Sequence, residues 1–334
     1  MREVKIYFFS FFIIVLCIFI YINRDSQEDI KKLDLDIYRF EQSLFETDSS
    51  KINQDVNIWK KELGSFFERF NFEILKIPSH SADYQKELIR FVSNSDMRES
   101  YDSLLEAYPN LDFLKNELGE SFGRYKYFFP NNKVPRILTY FSGFNYGVVS
   151  NDTILAIGLD YFLGENSTFY KRLGTPSYLN FQKQKKFILP NCMEVWANKE
   201  FARYNQGNDF LSMMLFKGKL MYFIDVMLPD MNNANKLRFS NAQLQWCNNN
   251  EKKIWSHFIS NDILFSTDFK KYRSYISYSP LAKGMPKESP GRIAYWLGWK
   301  IVDAYMEKIP STSIDELMRK TNSQQILQNS GYKP

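Results

Sequence analysis

The chain has 334 residues, of which 44% are hydrophobic and 17% aromatic, enough for one large domain or two small ones with a sizeable core. Its net charge of +5 is modest and spread along the chain, and no Lys/Arg cluster interleaves with aromatic residues, which excludes a nucleic-acid-binding protein. The two histidines lie far apart and the three cysteines lack C-x-x-C spacing, so the sequence predicts no zinc site and no cofactor.

An uninterrupted apolar run, IYFFSFFIIVLCIFIYI, covers residues 6–22 near the start of the chain. At about 1.5 Å per residue it spans roughly 25 Å, close to the shortest helix that crosses a bilayer. Arg2 and Lys5 precede it, which favours a cytoplasmic N-terminus with the rest of the chain outside. We interpret residues 1–24 as an uncleaved signal anchor. The alternative is a lipoprotein signal with Cys17 as the acylated residue, although a leucine precedes it where such signals carry a small residue.

Residues 25–334 follow as a single predicted domain outside the cytoplasm. Leu33, Leu35 and Ile37 alternate with polar residues, which is typical of a strand. Apolar residues then recur at helical spacing, and Pro130 ends the last of these stripes. The helices predicted in this part cover approximately residues 51–70, 83–92 and 111–129.

The middle of the chain changes character, because three β-prone runs replace the helical pattern. They cover residues 134–141, 145–149 and 153–159. Ser142-Gly143 and Asn151-Asp152 supply turn residues between them, so the sequence predicts a small antiparallel meander. Asp160 follows the last run directly and is a candidate binding residue.

Helical spacing returns in the second half, where helices are predicted over residues 190–205, over residues 209–228 and from Ser240 onwards. Residues 268–288 are predicted to be a loop, and Ser313 with Glu316 forms a capping box for a C-terminal helix. Cys192 and Cys247 lie in this half. Outside the cytoplasm they either form a disulfide or remain two separate thiols.

The stretch from Lys287 to Met306 carries the most distinctive residues of the chain. Ser289 is predicted to be the N-cap of a helix and Pro290 its first residue. Gly298 lies on a stripe of small residues in that helix. Because a glycine inside a helix costs about 1 kcal/mol relative to alanine, we expect another segment of the chain to pass very close to it.

Glu288, Arg292 and Trp296 stand near the start of this helix, and together with Asp160 they form a candidate binding surface. A cation in the first turn of a helix opposes the helix dipole. Arg292 is therefore expected to have a carboxylate partner, such as one on the 268–288 loop, or to contact a ligand.

Four ordered stretches carry a resemblance to a known family: VPRILTYFSGFNYGVV…ILAIGLDYFLG, KGKLMYFIDVMLPD, QLQWCNNNEKKIWSHFISNDILFSTD and ESPGRIAYWLGWKIVDAYM. With the chain end SGYKP, they make residues 33–334 resemble the GldB family of gliding-motility lipoproteins of Bacteroidetes-type bacteria. The resemblance implies a membrane-anchored protein of the cell envelope with its main domain in the periplasm. It also implies a role in gliding motility and associated protein secretion, with other envelope proteins as partners.

The shape of this family is similar to that of predicted zinc-dependent proteases, in which an antiparallel edge strand precedes a helix with an H-E-x-x-H motif. The counterparts here are the run 153–159 and the helix 209–228. The motif supplies two histidine ligands and a glutamate base, and residues 209–228 contain neither histidine nor glutamate. The resemblance therefore implies a zincin-like scaffold without its metal site, a pseudoenzyme kept for binding.

The expected fold is α+β, mostly helical, with a small antiparallel sheet. The expected function is that of a non-catalytic envelope component that acts through protein interactions at a membrane. One alternative is a hydrolase that uses carboxylates in a protease-like cleft, and another is a purely structural envelope protein. The carboxylates available for the hydrolase are Glu120, Asp160, Asp225, Asp262 and Glu288.

Overall fold

The computed structural model describes residues 30–78 and 80–334. Within them the chain has a mostly helical α+β fold, as predicted, with one four-stranded sheet. The predicted membrane run at 6–22, including Cys17, lies outside these residues. Inside them, no helix has both the length and the apolar character needed to span a membrane. The strands are β1 (Ile37–Arg39), β2 (Arg136–Tyr140), β3 (Val148–Ser150) and β4 (Ile154–Gly158).

The α-helices fall into a group before β2 and a group after β4, and most of them contribute apolar side chains to one continuous core. The first group comprises α1 (Phe40–Phe45), α2 (Ile52–Leu63), α3 (Ser65–Phe70), α4 (Tyr84–Ser93), α5 (Ser95–Ala107) and α6 (Asp112–Phe128). The second group comprises α7 (Thr168–Arg172), α8 (Ser177–Asn180), α9 (Ile188–Phe201), α10 (Phe210–Met227), α11 (Asn233–Leu237), α12 (Asn241–Asn249), α13 (Glu251–Ser260), α14 (Phe269–Ile276), α15 (Ile293–Lys308), α16 (Ile314–Arg319) and α17 (Ser323–Ser330).

The sheet is mixed, and the predicted antiparallel meander is wrong. The strand order is β1-β2-β4-β3; β2 pairs in parallel with both β1 and β4, and only the β3–β4 pair is antiparallel. The predicted turn at Asn151-Asp152 does join a hairpin, but residues 141–147 carry the chain past β4 to its far side. All five residues of β4 are buried. A continuous apolar run such as Ile154–Ile157 is typical of a strand covered on both faces, as in parallel sheets.

The long helices α10 and α15 cross at a pair of glycines, as the small-residue stripe predicted. A Cβ atom built on Gly298 would lie 2.2 Å from the carbonyl oxygen of Met214 and 3.0 Å from the amide nitrogen of Gly218. A Cβ atom on Gly218 would in turn lie 2.2 Å from the carbonyl carbon of Gly298. The two helix backbones are therefore in direct contact. A side chain at either glycine would collide with the backbone of the other helix.

Helix α15 begins at Ile293, three residues later than the sequence predicts. Ser289 is not its N-cap: the Ser289 hydroxyl donates to Pro286 O at 2.6 Å and accepts from Ala282 N at 3.2 Å. Gly291 is pressed against Ser279, where a Cβ atom would lie 2.6 Å from the backbone nitrogen. These contacts hold the chain before Ile293 in a loop, so the helix cannot extend back to Pro290.

Other boundaries also differ from the predicted ones. The predicted helix 51–70 is divided into α2 and α3 at Gly64, whose φ is +50°. The predicted loop 268–288 contains α14, which is capped by the Asp268 side chain accepting from Lys270 N at 3.0 Å. Helix α9 begins at Ile188 and ends at Phe201, and α5 was not predicted.

Candidate functional site

The four residues predicted as a binding surface do not form one. Glu288 is exposed, whereas Trp296 is buried in the core, where its Nε1 donates to Asn248 Oδ1 at 3.2 Å. Asp160 is fully buried just after β4. Arg292 is also buried, contrary to its predicted place on a surface, and it lines a cavity.

Asp160 holds the loop between β2 and β3 in place. Its carboxylate accepts hydrogen bonds from Ser142 N at 2.7 Å, from the Ser142 hydroxyl at 3.1 Å and from Phe144 N at 2.6 Å. Phe144 has a φ of +62°, so these bonds fix a backbone conformation that residues other than glycine rarely adopt. Burial raises the pKa of Asp160 to about 6, against the lowering effect of these donors. The residue has a structural role.

We expect Asp160→Ala to lower the free energy of unfolding by about 2–4 kcal/mol, because it leaves the buried N–H of Ser142 and the partly buried N–H of Phe144 without an acceptor. Asp152→Ala is the control, since the Asp152 side chain is 98% exposed and pairs only loosely with Lys199 at 3.6 Å. Its effect should stay within about 0.5 kcal/mol. Urea denaturation measures both; equal stabilities of the two variants would contradict the structural role of Asp160.

Arg292 meets a second buried arginine at one glutamate. Arg238, which follows α11, and Arg292 both donate to Oε2 of Glu194 in α9, Arg292 through Nη2 at 2.8 Å. Tyr295 donates its hydroxyl to the other carboxylate oxygen, Oε1, at 3.0 Å. Each arginine is only 3% exposed. We call Glu194, Arg238 and Arg292 the arginine cluster.

The other terminal nitrogen of each guanidinium group is also engaged. Arg238 Nη1 donates to Asn191 Oδ1, and Arg292 Nη1 donates to the Tyr278 hydroxyl at 3.0 Å. Arg238 Nε, in contrast, is buried and has no hydrogen-bond partner. Because a buried donor normally has a partner, this atom marks a position where a ligand could bind.

Both arginines stay charged at neutral pH. Burial, reinforced by Arg292, lowers the pKa of Arg238 to about 10. Burial alone would raise the pKa of the Tyr295 phenol, but Arg292, Lys217 and Arg238 outweigh it and lower that pKa to about 8. The phenol is therefore mostly protonated at pH 7, in keeping with its hydrogen bond to Glu194.

The backbones of both arginines are in the left-handed region, with φ of +59° at Arg238 and at Arg292. This conformation costs roughly 1 kcal/mol or more at a residue with a side chain, and glycine would adopt it without that cost. The backbone conformation sets the direction in which each side chain leaves the chain, and both side chains reach Glu194.

A cavity of about 210 Å³ adjoins the cluster and is lined by both arginines. Its wall combines rings with polar side chains and reaches the surface at the exposed Pro280. Gln182 is one of the polar wall residues: its Nε2 donates to Arg238 O at 3.3 Å, and its buried Oε1 has no partner. Other members of the wall are Tyr178, Phe181, Ser240 and Tyr278.

Sequence reasoning found one member of the cluster and missed two. Arg292 stood out as a cation at a helix start, and the predicted carboxylate partner exists. That partner is Glu194 of α9, however, and the 268–288 segment contributes the Tyr278 hydroxyl instead. Glu194 and Arg238 carry no local signal, because residues so far apart in sequence meet only through the packing of α9 against α10 and α11.

The comparison with zinc proteases gains no support from the geometry. Strand β4 falls within the predicted edge strand 153–159, but it lies inside the sheet, between β2 and β3. Over residues 30–78 and 80–334, no three His, Cys, Asp or Glu side chains converge as metal ligands would. His257 shares a hydrogen bond of 3.0 Å with the Tyr275 hydroxyl, and Lys219 of α10 donates to Lys320 O at 2.7 Å.

The five carboxylates considered for a hydrolase lie in separate surroundings. Asp225 pairs with Lys236 at 2.6 Å, and Asp262 borders a different cavity, beside Phe265. Glu120 lines a third cavity, of about 350 Å³, together with Glu117. Burial and then Glu120 raise the pKa of Glu117.

The comparisons with known proteins decide the family. A model of the gliding motility protein GldB, labelled as a lipoprotein family, matches residues 23–334. The chain belongs to this family. A search of the curated proteins and a search of the solved structures each gave no match. Membership of the GldB family implies involvement in gliding motility and a place at the cell envelope, as the sequence motifs suggested.

Proposed function

We propose that this GldB-family protein supports gliding motility, and the protein secretion associated with it, as a non-catalytic envelope component that acts by binding. Residues 1–24 would anchor it at a membrane, with the main domain in the periplasm. The observation that supports this most is the make-up of the arginine cluster. Its two arginine side chains stay protonated at neutral pH, and its one carboxylate is bonded to both of them. Such groups are suited to hold a ligand but not to exchange protons with a substrate.

The hydroxyl groups in the cavity wall are also poorly placed for catalysis. The Ser240 hydroxyl accepts from Gln243 N at 3.1 Å as a helix cap, and the Ser279 hydroxyl donates to Leu281 O at 2.7 Å. Among the described residues that line the cavity, none is a histidine that could activate them.

A spreading assay in a gliding bacterium that lacks its own copy tests the proposal. The wild-type gene should restore spreading. Arg238→Met should fold and accumulate normally, because the charge of Glu194 is still balanced by Arg292 and its carboxylate still accepts from Tyr295. It should nevertheless fail to restore spreading. Arg203→Met, a matched change at an exposed arginine, should restore spreading. Full spreading with Arg238→Met would contradict a role for this cavity.

The hydrolase alternative rests on the cavity of about 350 Å³, where burial raises the pKa of Glu117 beside Glu120. The double variant Glu117→Gln/Glu120→Gln separates the two functions in the same assay. We expect it to restore spreading. Normal protein levels with lost spreading would favour the hydrolase.

A further inference from the structure

The arginine cluster carries an uncompensated charge. Two guanidinium groups face one carboxylate, which leaves one positive charge in a nearly sealed environment. Burying a charge without a counter-charge is costly, so the cluster is complementary to a ligand with a single negative charge. A dianion such as a phosphate monoester would reverse the imbalance instead of removing it.

Two residues of the cavity wall each carry a buried, unpaired atom, and the two atoms have opposite character. Arg238 Nε is a charged donor without an acceptor, and Gln182 Oε1 is an acceptor without a donor. The residues are neighbours, because Gln182 Nε2 donates to Arg238 O. A ligand that satisfies both needs a carboxylate and, close to it, an N–H group.

The remaining wall includes four aromatic residues, Tyr178, Phe181, Phe239 and Tyr278, beside serine, glutamine, proline and glycine. Its volume of about 210 Å³ exceeds the roughly 150 Å³ of a cavity that holds benzene. One apolar side chain therefore fits beside the charged end, and the mouth at Pro280 offers an exit for a chain. A carboxylate, an adjacent N–H and one apolar side chain are the features of the C-terminal residue of a peptide.

We propose that this cavity captures the C-terminus of a partner polypeptide that ends in an apolar residue. The terminal carboxylate pairs with Arg238 and offsets the surplus charge of the cluster, and the last amide N–H donates to Gln182 Oε1. Both atoms are covered by neighbouring groups, so a wall side chain must shift on binding. Affinity for a single residue should therefore be modest. This inference rests on the proposed function in taking the protein to act by binding.

Ligand-observed NMR titrations with the full chain in detergent test the inference. The probes are N-acetylphenylalanine, its amide, which lacks the charge, and 3-phenylpropionate, which lacks the N–H. The acid should bind at least about tenfold more tightly than the amide, because a hydrogen bond to a charged group is lost in the amide. It should also bind more tightly than 3-phenylpropionate. Equal binding of acid and amide, or no saturable binding, would overturn the proposal.

A longer probe tells whether the ligand is the end of a polypeptide or a small acid. Acetyl-Ala-Ala-Phe with a free carboxylate should bind at least as tightly as N-acetylphenylalanine if a chain leaves through the mouth at Pro280. Exclusion of the longer probe would show that the site takes a small acid, and would overturn capture of a polypeptide.

Variants link the binding to the cluster. Arg238→Met should abolish the preference for acid over amide, and Arg203→Met should leave it unchanged. If Arg238→Met does not fold, Arg238→Lys serves in its place: it keeps the charge, lacks Nε–H, and should weaken binding of the acid at least about threefold. An unchanged preference in these Arg238 variants would overturn the assignment. A variant that binds the acid normally but does not restore spreading, or one that restores spreading without binding the acid, separates this inference from the role in gliding.

Discussion

Replacing Gly298 by leucine is expected to lower the free energy of unfolding by about 3 kcal/mol or more, or to prevent folding. The position has no room for a side chain, since even a Cβ atom would lie 2.2 Å from the carbonyl oxygen of Met214. Overpacking usually costs about 1–3 kcal/mol, and more where the obstacle is backbone that cannot yield. Helices α10 and α15 would have to separate at the centre of the core. Thermal and urea unfolding of the purified variant measure the loss.

Lys300→Leu is the matched control for this substitution, because it adds a leucine to the exposed side of the same helix. Its stability should remain within about 0.5 kcal/mol of the wild type. Gly218→Leu should resemble Gly298→Leu, since each glycine faces the other. If Gly298→Leu unfolds at the same temperature and urea concentration as the wild type, the two helices are not in close contact.

Glu194→Ala is expected to cost about 3–5 kcal/mol, because it leaves two buried guanidinium groups without their shared carboxylate. Tyr295 would lose its acceptor in the same step. An exposed ion pair provides the comparison: Glu99 pairs with Arg172 while their side chains are 51% and 52% exposed. Glu99→Ala should cost about 1 kcal/mol or less.

A double variant checks that charge is the cause. Glu194→Ala/Arg238→Met leaves Arg292 as the one charged member of the cluster, so its surplus charge equals that of the wild type. The double variant should therefore be more stable than the sum of the two single losses predicts. Strict additivity, or a Glu194→Ala variant as stable as Glu99→Ala, would contradict the electrostatic explanation.

Local patterns predicted most helices and the class of the fold. The Ser313–Glu316 capping box and the long apolar helix at 209–228 were confirmed, because each depends on residues within a few positions of one another. The pairing of strands was not predicted correctly. Parallel pairing of β2 with β4 depends on the path of residues 141–147, which bring the chain around β4, and turn residues such as Ser142-Gly143 do not specify that path.

The candidate site shows the same limit at the level of side chains. Arg292 could be identified because a cation at a helix start needs an explanation, and Gly298 because a glycine inside a helix does. Trp296 and Asp160 were wrongly assigned to a surface, since a buried tryptophan and a buried carboxylate look no different in sequence from exposed ones. Glu194 gave no signal, because its two cationic partners come from other parts of the chain.

The two cysteines of the described chain are separate, buried thiols, and they lie in the helices that form the site. Cys192 is in α9 with Glu194, and Cys247 is in α12, whose cap Ser240 lines the cavity. Burial raises the pKa of both thiols. Because only an accessible thiolate reacts quickly, each thiol is protected until its helix opens. In a Cys17→Ser chain, the labelling rates of the two native thiols would therefore report how often each side of the cavity opens, without any introduced probe.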